Sequence, residues 1–209
     1  MTTPQMDIFR EGSRHHHFLE YDLATGWTAA KLAKAIKQAR AAAAKSPCAM
    51  VIAFSKSTLA KLIPAEMPDG MHDFVTLEGP KHSAPATQSD VWFWVHGAER
   101  DDVFDLARAI DGAITGIARL ELDLSGFIYH DARDMSGFVD GSANAKGDKR
   151  LEQALVPAGQ TGAGGAFVLG QRWVHDLDAF AKLAQHDQER VVGRTKPDSI
   201  ELEGDALFA

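Results

Sequence analysis

The order of its strand-like and helix-like segments is what most constrains the fold of this chain. Residues alternate between apolar and polar over 15–23, whereas apolar residues recur at helical spacing over 27–45. The predicted elements, in chain order, are a strand at 15–23, a helix at 27–45, strands at 49–55 and 90–97, a helix at 99–114 and a strand at 120–130. This βαββαβ order predicts a ferredoxin-like α+β fold, in which helices pack on one face of an antiparallel sheet.

The same kind of pattern begins again further along the chain. Residues 165–177 predict a strand and residues 176–193 a helix, which Gly193 would end. A complete second ferredoxin-like half would need about three more elements after these. We therefore expect an N-terminal ferredoxin-like half at 1–131 and an incomplete C-terminal half at 132–209.

Composition narrows the class of protein. The chain has 209 residues, 45% of them hydrophobic and 24% charged, which is ordinary for a globular protein with a core. The net charge of -7 argues against a broad surface for nucleic acid or anionic membrane. A single cysteine, Cys48, excludes an intrachain disulfide and suits a reducing compartment. With no secretory signal pattern and no long apolar run, we expect a cytoplasmic protein.

One short stretch differs from the rest, RDMSGFVDGSANAKGDKR at residues 133–150. Asp140 lies there between Gly137 and Gly141, where the backbone can turn sharply and approach a flat ligand closely. By itself this pattern is most typical of a turn in which Asp140 or Asn144 binds nearby backbone N–H groups. The other hypothesis is a carboxylate positioned for proton transfer.

Five separated segments resemble one family. GFVDGSAN (137–144) is similar to the Gly-x-x-Asp-Gly motif of the dye-decolourising (DyP-type) haem peroxidases. The further similar segments, which follow the family's order, are GSRHHHFLEYDL (12–23), APATQSDVWFWVHG (84–97), GGAFVLGQRWVHDLDAF (164–180) and HDQERVVGRTK (186–196). The resemblance covers nearly the whole chain and is strongest to the bacterial cytoplasmic branch.

The resemblance implies two ferredoxin-like halves in a dimeric α+β barrel, with haem b (heme b) in the second half. It implies reduction of hydrogen peroxide with oxidation of dyes, phenolics or other electron donors. By position, Asp140 matches the distal acid–base aspartate. Gly141, Ser142 and Ala143 match the segment that runs over the haem edge, and Asn144 matches a residue that we assign to loop geometry.

Two departures from the family pattern matter. Ala143 and Ala145 replace the common Glu and Pro of the motif. The histidine that ligates the iron and the distal arginine would both fall beyond Ala209, and neither His175 nor His186 matches the ligand position. We therefore predict no metal ligand within the 209 residues.

Two hypotheses follow. In the first, the complete protein is a haem peroxidase; in the second, the chain is a truncated remnant that acts without haem as a binding or assembly module. For the first, the resemblance implies hydrogen peroxide and a small-molecule or macromolecular reductant as partners. It also implies a homo-oligomer and, as in some relatives, an encapsulin-type shell, with no nucleic acid and no membrane.

Overall fold

A computed structural model describes residues 3–203 of the chain. These residues divide into two compact units. The first contains the residues up to Phe127 together with Leu151–Val168, and the second contains Ile128–Arg150 together with the residues from Leu169 onward.

Strands and helices alternate through the first unit much as the sequence predicts. The strands are β1 (His15–Leu23), β2 (Ala49–Phe54), β3 (Leu77–Glu78), β4 (Ser83–Ala84), β5 (Val91–Gly97) and β6 (Ala118–Phe127). The helices of the described residues are α1 (Ala29–Ala43), α2 (Lys56–Leu62), α3 (Arg100–Ile114), α4 (Lys149–Ala154), α5 (Leu177–Ala181) and α6 (Gln185–Val192), with 3₁₀ turns at Met6–Phe9 and Pro64–Glu66.

A four-stranded antiparallel sheet in the order β2-β5-β1-β6 organises the first unit. Strand β1 lies inside the sheet, with Leu19 opposite Phe93 of β5 and opposite Asp123 of β6. This strand order, with α1 and α3 as the two connecting helices, confirms the predicted ferredoxin-like fold. Strands β3 and β4 form a separate two-stranded ribbon within the long connection before β5.

The helices begin where side chains can satisfy free backbone N–H groups. The Thr28 hydroxyl accepts the Lys31 N–H at 3.3 Å, and the Ser55 hydroxyl accepts the Thr58 N–H at 3.3 Å. Helices α1 and α3 then bury their apolar faces against one face of the sheet. The largest fully buried apolar side chains of the resulting core are Leu19, Tyr21, Leu32, Val91, Phe93, Val95, Ile110 and Ile114.

The N-terminal segment covers the outer edge of β2 with side chains instead of a fifth strand. The Gln5 amide both accepts the Ile52 N–H at 2.9 Å and donates to the Ile52 carbonyl at 2.8 Å. The Asp7 carboxylate accepts the Met50 N–H at 2.9 Å. An uncovered strand edge is a template for unwanted pairing, so these bonds protect β2.

Aromatic and imidazole rings form a stacked row across the sheet. Trp94 stacks on His96 with ring centroids 4.1 Å apart, and His16 lies 5.8 Å from each of them. His96 is fully buried; its Nε2–H donates to the Asp7 carbonyl at 3.1 Å, and its Nδ1 lies 2.7 Å from the Ser13 hydroxyl. These bonds hold the His96 imidazole under the N-terminal segment.

The chain from residue 165 onward departs from the prediction. Residues 165–177 contain no strand, and the helix predicted at 176–193 is interrupted and forms the two short helices α5 and α6. The Gln188 side-chain amide donates to the carbonyls of Phe180 and Leu183, at 3.3 and 2.9 Å, where the first of these helices ends. Gly193 ends α6 in the left-handed conformation, with φ +80°, as predicted. Residues 204–209 of the predicted C-terminal half lie outside the described residues.

Within residues 3–203, no helix combines the length and the apolar character that crossing a membrane requires.

The buried imidazoles predict how stability depends on pH. Burial lowers the pKa of His96 below its ordinary value of 6.5, and burial likewise lowers the pKa of His16. The unfolded chain therefore binds more protons than the folded chain just below pH 6.5, and the free energy of unfolding should fall as the pH falls through that region. Urea unfolding at pH 7.5 and 5.5 measures this change.

His96→Gln is the matched variant, because glutamine remains polar but does not titrate. The loss of stability between pH 7.5 and 5.5 should be smaller in this variant than in the wild type. An equal loss in both proteins would show that His96 does not carry the effect.

Candidate functional site

A tight backbone loop presents Asp140. The Gly137 N–H donates to the Asp134 carbonyl and the Asp134 N–H to the Phe138 carbonyl, both at 2.8 Å. The Asp140 N–H then donates to the Ala132 carbonyl at 3.1 Å. These bonds fix the backbone on both sides of the loop, so the position of the Asp140 side chain is set by local structure.

Arg133 holds this loop to the segment that follows α6. Its Nη1 donates to the carbonyls of Gly137 at 3.0 Å and of Lys196 at 3.1 Å, while its Nε donates to Asp131 at 2.8 Å. The bond from Arg133 also lowers the pKa of the Asp131 carboxyl. A planar guanidinium can make all these bonds at once, which an ammonium group cannot.

Phe138 is the apolar anchor of the loop, with 4% of its surface exposed. Its ring meets the edge of Phe180 at 6.1 Å, and the Lys196 ammonium lies 5.4 Å from the ring centroid. That ammonium also donates to the Gln188 side chain at 2.7 Å. Gly137 has a φ of +91°, a backbone conformation that favours glycine at this turn.

Asp140 itself is exposed. Its Oδ1 accepts the N–H of the next residue, Gly141, at 2.7 Å, whereas its Oδ2 has no partner in residues 3–203. A turn of the Asx type would use the N–H two residues on, at Ser142. The geometry thus orients the carboxylate through one oxygen and leaves the other available to exchange a proton.

The other four predicted site residues form the turn that follows. The Asn144 N–H donates to the Gly141 carbonyl at 3.1 Å, and Gly141 has a φ of +67°. The Ser142 hydroxyl lies 2.8 Å from the hydroxyl of Ser199, which is buried, while Ala143 is exposed. All five predicted residues are therefore in one short exposed segment that is tied to the C-terminal part of its unit.

A second carboxylate near the loop, that of Asp134, has hydrogen-bond partners on both of its oxygens. Burial raises the pKa of Asp134, but hydrogen bonds from Ser136 and from His175 outweigh it, so its pKa lies below the usual value. The Ser136 N–H bond is 2.8 Å long and the His175 Nε2 contact is 3.2 Å. Because both oxygens of Asp134 are occupied, Asp140 is the better candidate for proton transfer.

The loop fits one side of a planar cofactor. Small side chains and an exposed backbone at Gly141, Ser142 and Ala143 leave room for close approach of a flat ring. In residues 3–203, no group of three or more His, Cys, Asp or Glu could hold a metal ion.

Family models match almost the entire chain. The model described as Dyp-type peroxidase, N-terminal, matches residues 5–128, and the model described as Dyp-type peroxidase, C-terminal, matches residues 131–208. This chain belongs to the Dyp-type peroxidase family. Asp140 and the four residues after it fall in the part that the C-terminal model matches.

Among the relatives in sequence are two dye-decolorizing peroxidases. The protein of Mycolicibacterium paratuberculosis is 38% identical over 146 residues, which are 69% of this chain and 41% of that protein. The protein of Mycobacterium tuberculosis is 34% identical over 158 residues, which are 75% of this chain and 47% of that protein. The matched part thus spans less than half the length of either relative.

Solved structures of the family share the fold. A dyp-type peroxidase protein from Shewanella oneidensis has a TM-score of 0.85 at 25% identity, covering 99% of this chain and 69% of that one. A variant of DypB from Rhodococcus jostii RHA1, solved in complex with heme, has a TM-score of 0.81 at 28% identity, covering 98% and 68%.

The sequence identified Asp140 as a candidate but not the residues that fix the loop on which it lies. The contacts that fix the loop around Asp140 are made by Arg133, Phe138, Lys196 and Ser199, and the sequence pattern singles out none of these four residues. An arginine and a phenylalanine within seven residues of Asp140 were the only local signal. Lys196 and Ser199 lie more than 50 residues further along, so their contacts could not be read from spacing.

We predict that Arg133→Ala loosens the loop without unfolding the ferredoxin-like unit. Hydrogen bonds that involve a charged group contribute about 1.5–3 kcal/mol, so amide hydrogen exchange over residues 137–144 should accelerate at least about tenfold. Mass spectrometry of exchanged peptides measures this rate. Arg172→Ala, which removes an exposed arginine of the same unit, is the control and should leave exchange in the loop unchanged. Unchanged exchange in Arg133→Ala would refute the assigned role.

Proposed function

We propose that this chain forms the distal side of a haem peroxidase site and that Asp140 is its acid–base group. The observation that carries the proposal is the free Oδ2 of Asp140, on a loop held by Arg133 and Phe138. The family membership supports it, because the loop lies in the matched C-terminal segment. We also propose the division into halves at 1–131 and 132–209.

The proposed reaction reduces hydrogen peroxide and oxidises dyes, phenolics or another electron donor. When bound, haem supplies the iron that binds peroxide and takes up its oxidising equivalents. Asp140 Oδ2 accepts the proton of one peroxide oxygen and returns it to the other oxygen, which leaves as water. The N–H of Gly141 holds Oδ1 throughout, so the carboxylate keeps its orientation while Oδ2 exchanges the proton.

Gly141, Ser142 and Ala143 would lie along the haem edge, with Asn144 shaping the turn. Their small side chains and their exposure support this assignment. We infer that the axial ligand comes from outside residues 3–203, in keeping with the expectation that the proximal histidine lies beyond Ala209. The heme bound in a related DypB structure supports haem as the cofactor, and we propose the b type.

The remaining proposals concern the setting of the reaction. A single cysteine, Cys48, suits a reducing cytoplasm. The partners that we propose are hydrogen peroxide, a small-molecule or macromolecular reductant, further copies of the chain and an encapsulin-type shell. The net charge of -7 supports the expectation that nucleic acid and anionic membranes are not partners.

Asp140→Asn tests the proposed acid–base role. The rate constant for peroxide consumption by the haem-loaded protein should fall by at least about a hundredfold, since a positioned proton-transfer group contributes 10²–10⁴-fold. Stopped-flow absorbance at limiting peroxide measures this rate. Asp148→Asn, a neutralised carboxylate eight residues further along, should retain the wild-type rate.

A haem titration followed by absorbance separates the two ways in which the proposal can fail. Stoichiometric binding in Asp140→Asn with a wild-type peroxide rate would remove Asp140 from proton transfer while leaving the haem site intact. A complete protein, including the segment with the proposed axial ligand, that binds no haem would instead support the non-catalytic binding or assembly module.

A further inference from the structure

The cations of the first unit are unevenly distributed along the chain. Seven of the 22 lysines and arginines, and none of the 29 acids, lie between Asp22 and Glu66. Helix α1 carries four of these cations, and three of them, Lys31, Lys34 and Lys37, form an exposed row that we call the α1 lysine row. Three-residue spacing makes them neighbours on one helix surface, spanning about 9 Å.

This row stabilises nothing within its own unit. No side chain of the α1 lysine row takes part in an ion pair or hydrogen bond in residues 3–203. Like charges at this spacing repel, and cations near a helix N-terminus oppose the helix dipole. The three ammonium groups are therefore available to contact an acidic surface.

The neighbouring helix α3 has the complementary character. From Glu99 to Asp111 there are five acids and two arginines. Asp101 and Asp105 are exposed on this helix, one turn apart, and form no ion pair within residues 3–203. Between them lies Phe104, with 55% of its surface exposed. These two carboxylates beside an exposed aromatic ring give α3 a negative surface, opposite in charge to the α1 lysine row.

We propose that the α1 lysine row docks on the Asp101–Phe104–Asp105 face of α3 in a second copy of this chain. Because α1 and α3 pack side by side, a two-fold axis that runs parallel to the two helices, above their exposed faces, places each α1 against the partner's α3. The two contacts are then equivalent and the dimer is closed. Phe104 would rest on the exposed alanines beside the row, Ala30 and Ala33, which allow close approach.

The overall charge of the chain does not oppose this contact. At about 0.1 M salt the Debye length is roughly 10 Å, so charges that meet across the contact count more than the net charge of -7. The proposal does not depend on haem or on Asp140, since all its residues belong to the ferredoxin-like unit.

Sedimentation velocity of the whole chain tests the proposal. At 0.1 M salt the chain should form a reversible dimer, and the dissociation constant should rise at least about tenfold at 0.5 M salt. Lys31→Glu/Lys34→Glu/Lys37→Glu should be monomeric, as should Asp101→Lys/Asp105→Lys. An equimolar mixture of these two variants should restore a heterodimer, because each altered helix then faces its opposite charge.

The control carries the same change in net charge elsewhere. Lys81→Glu/Lys146→Glu/Lys149→Glu alters three exposed lysines outside α1 and should dimerise as the wild type does. A wild type that stays monomeric at 0.1 M salt would overturn the proposal, as would folded charge variants whose mixture forms no heterodimer. Binding of a labelled DNA duplex by the α1 lysine row, without self-association, would assign the row to nucleic acid and would also overturn it.

Discussion

The interior position of β1 is the constraint on which the first unit depends. Hydrogen bonds to β5 on one side and to β6 on the other fix the register of these three strands. Because a shift by one residue would exchange the two faces, this pairing determines that Leu19 and Tyr21 enter the core. It also determines that His16 joins the row of stacked rings with Trp94.

The site depends on a smaller set of contacts of a different kind. No strand holds Asp140; instead, the Arg133 guanidinium binds backbone carbonyls from both segments of its unit, and Phe138 supplies a buried anchor. Fixing a loop in this way leaves the carboxylate exposed while its backbone is rigid. An acid–base group needs that combination, because the carboxylate must meet a ligand without reorganising.

The sequence predicted the local features well and the non-local ones poorly. Hydrophobic periodicity predicted the main helices and strands of the ferredoxin-like unit, because the apolar pattern of each element is visible within its own residues. The prediction of a strand at 165–177 was wrong. A strand needs a neighbouring strand to pair with, and the sequence pattern of one segment does not show whether such a neighbour exists. The helix expected at 176–193 was interrupted where Gln188 binds the carbonyls of Phe180 and Leu183. Family resemblance identified the Asp140 loop, but the bonds from Arg133 to Gly137 and Lys196 join distant segments and follow from no local pattern.

The central claim is that the loop from Asp140 to Asn144 covers one face of a haem. A crystal structure of the haem-loaded protein tests it most directly. The account predicts haem density against Gly141, Ser142 and Ala143, with Oδ2 of Asp140 pointing toward the space above the iron. Haem bound at another surface, or Asp140 turned away from the ring with Oδ2 bonded to protein, would contradict the account.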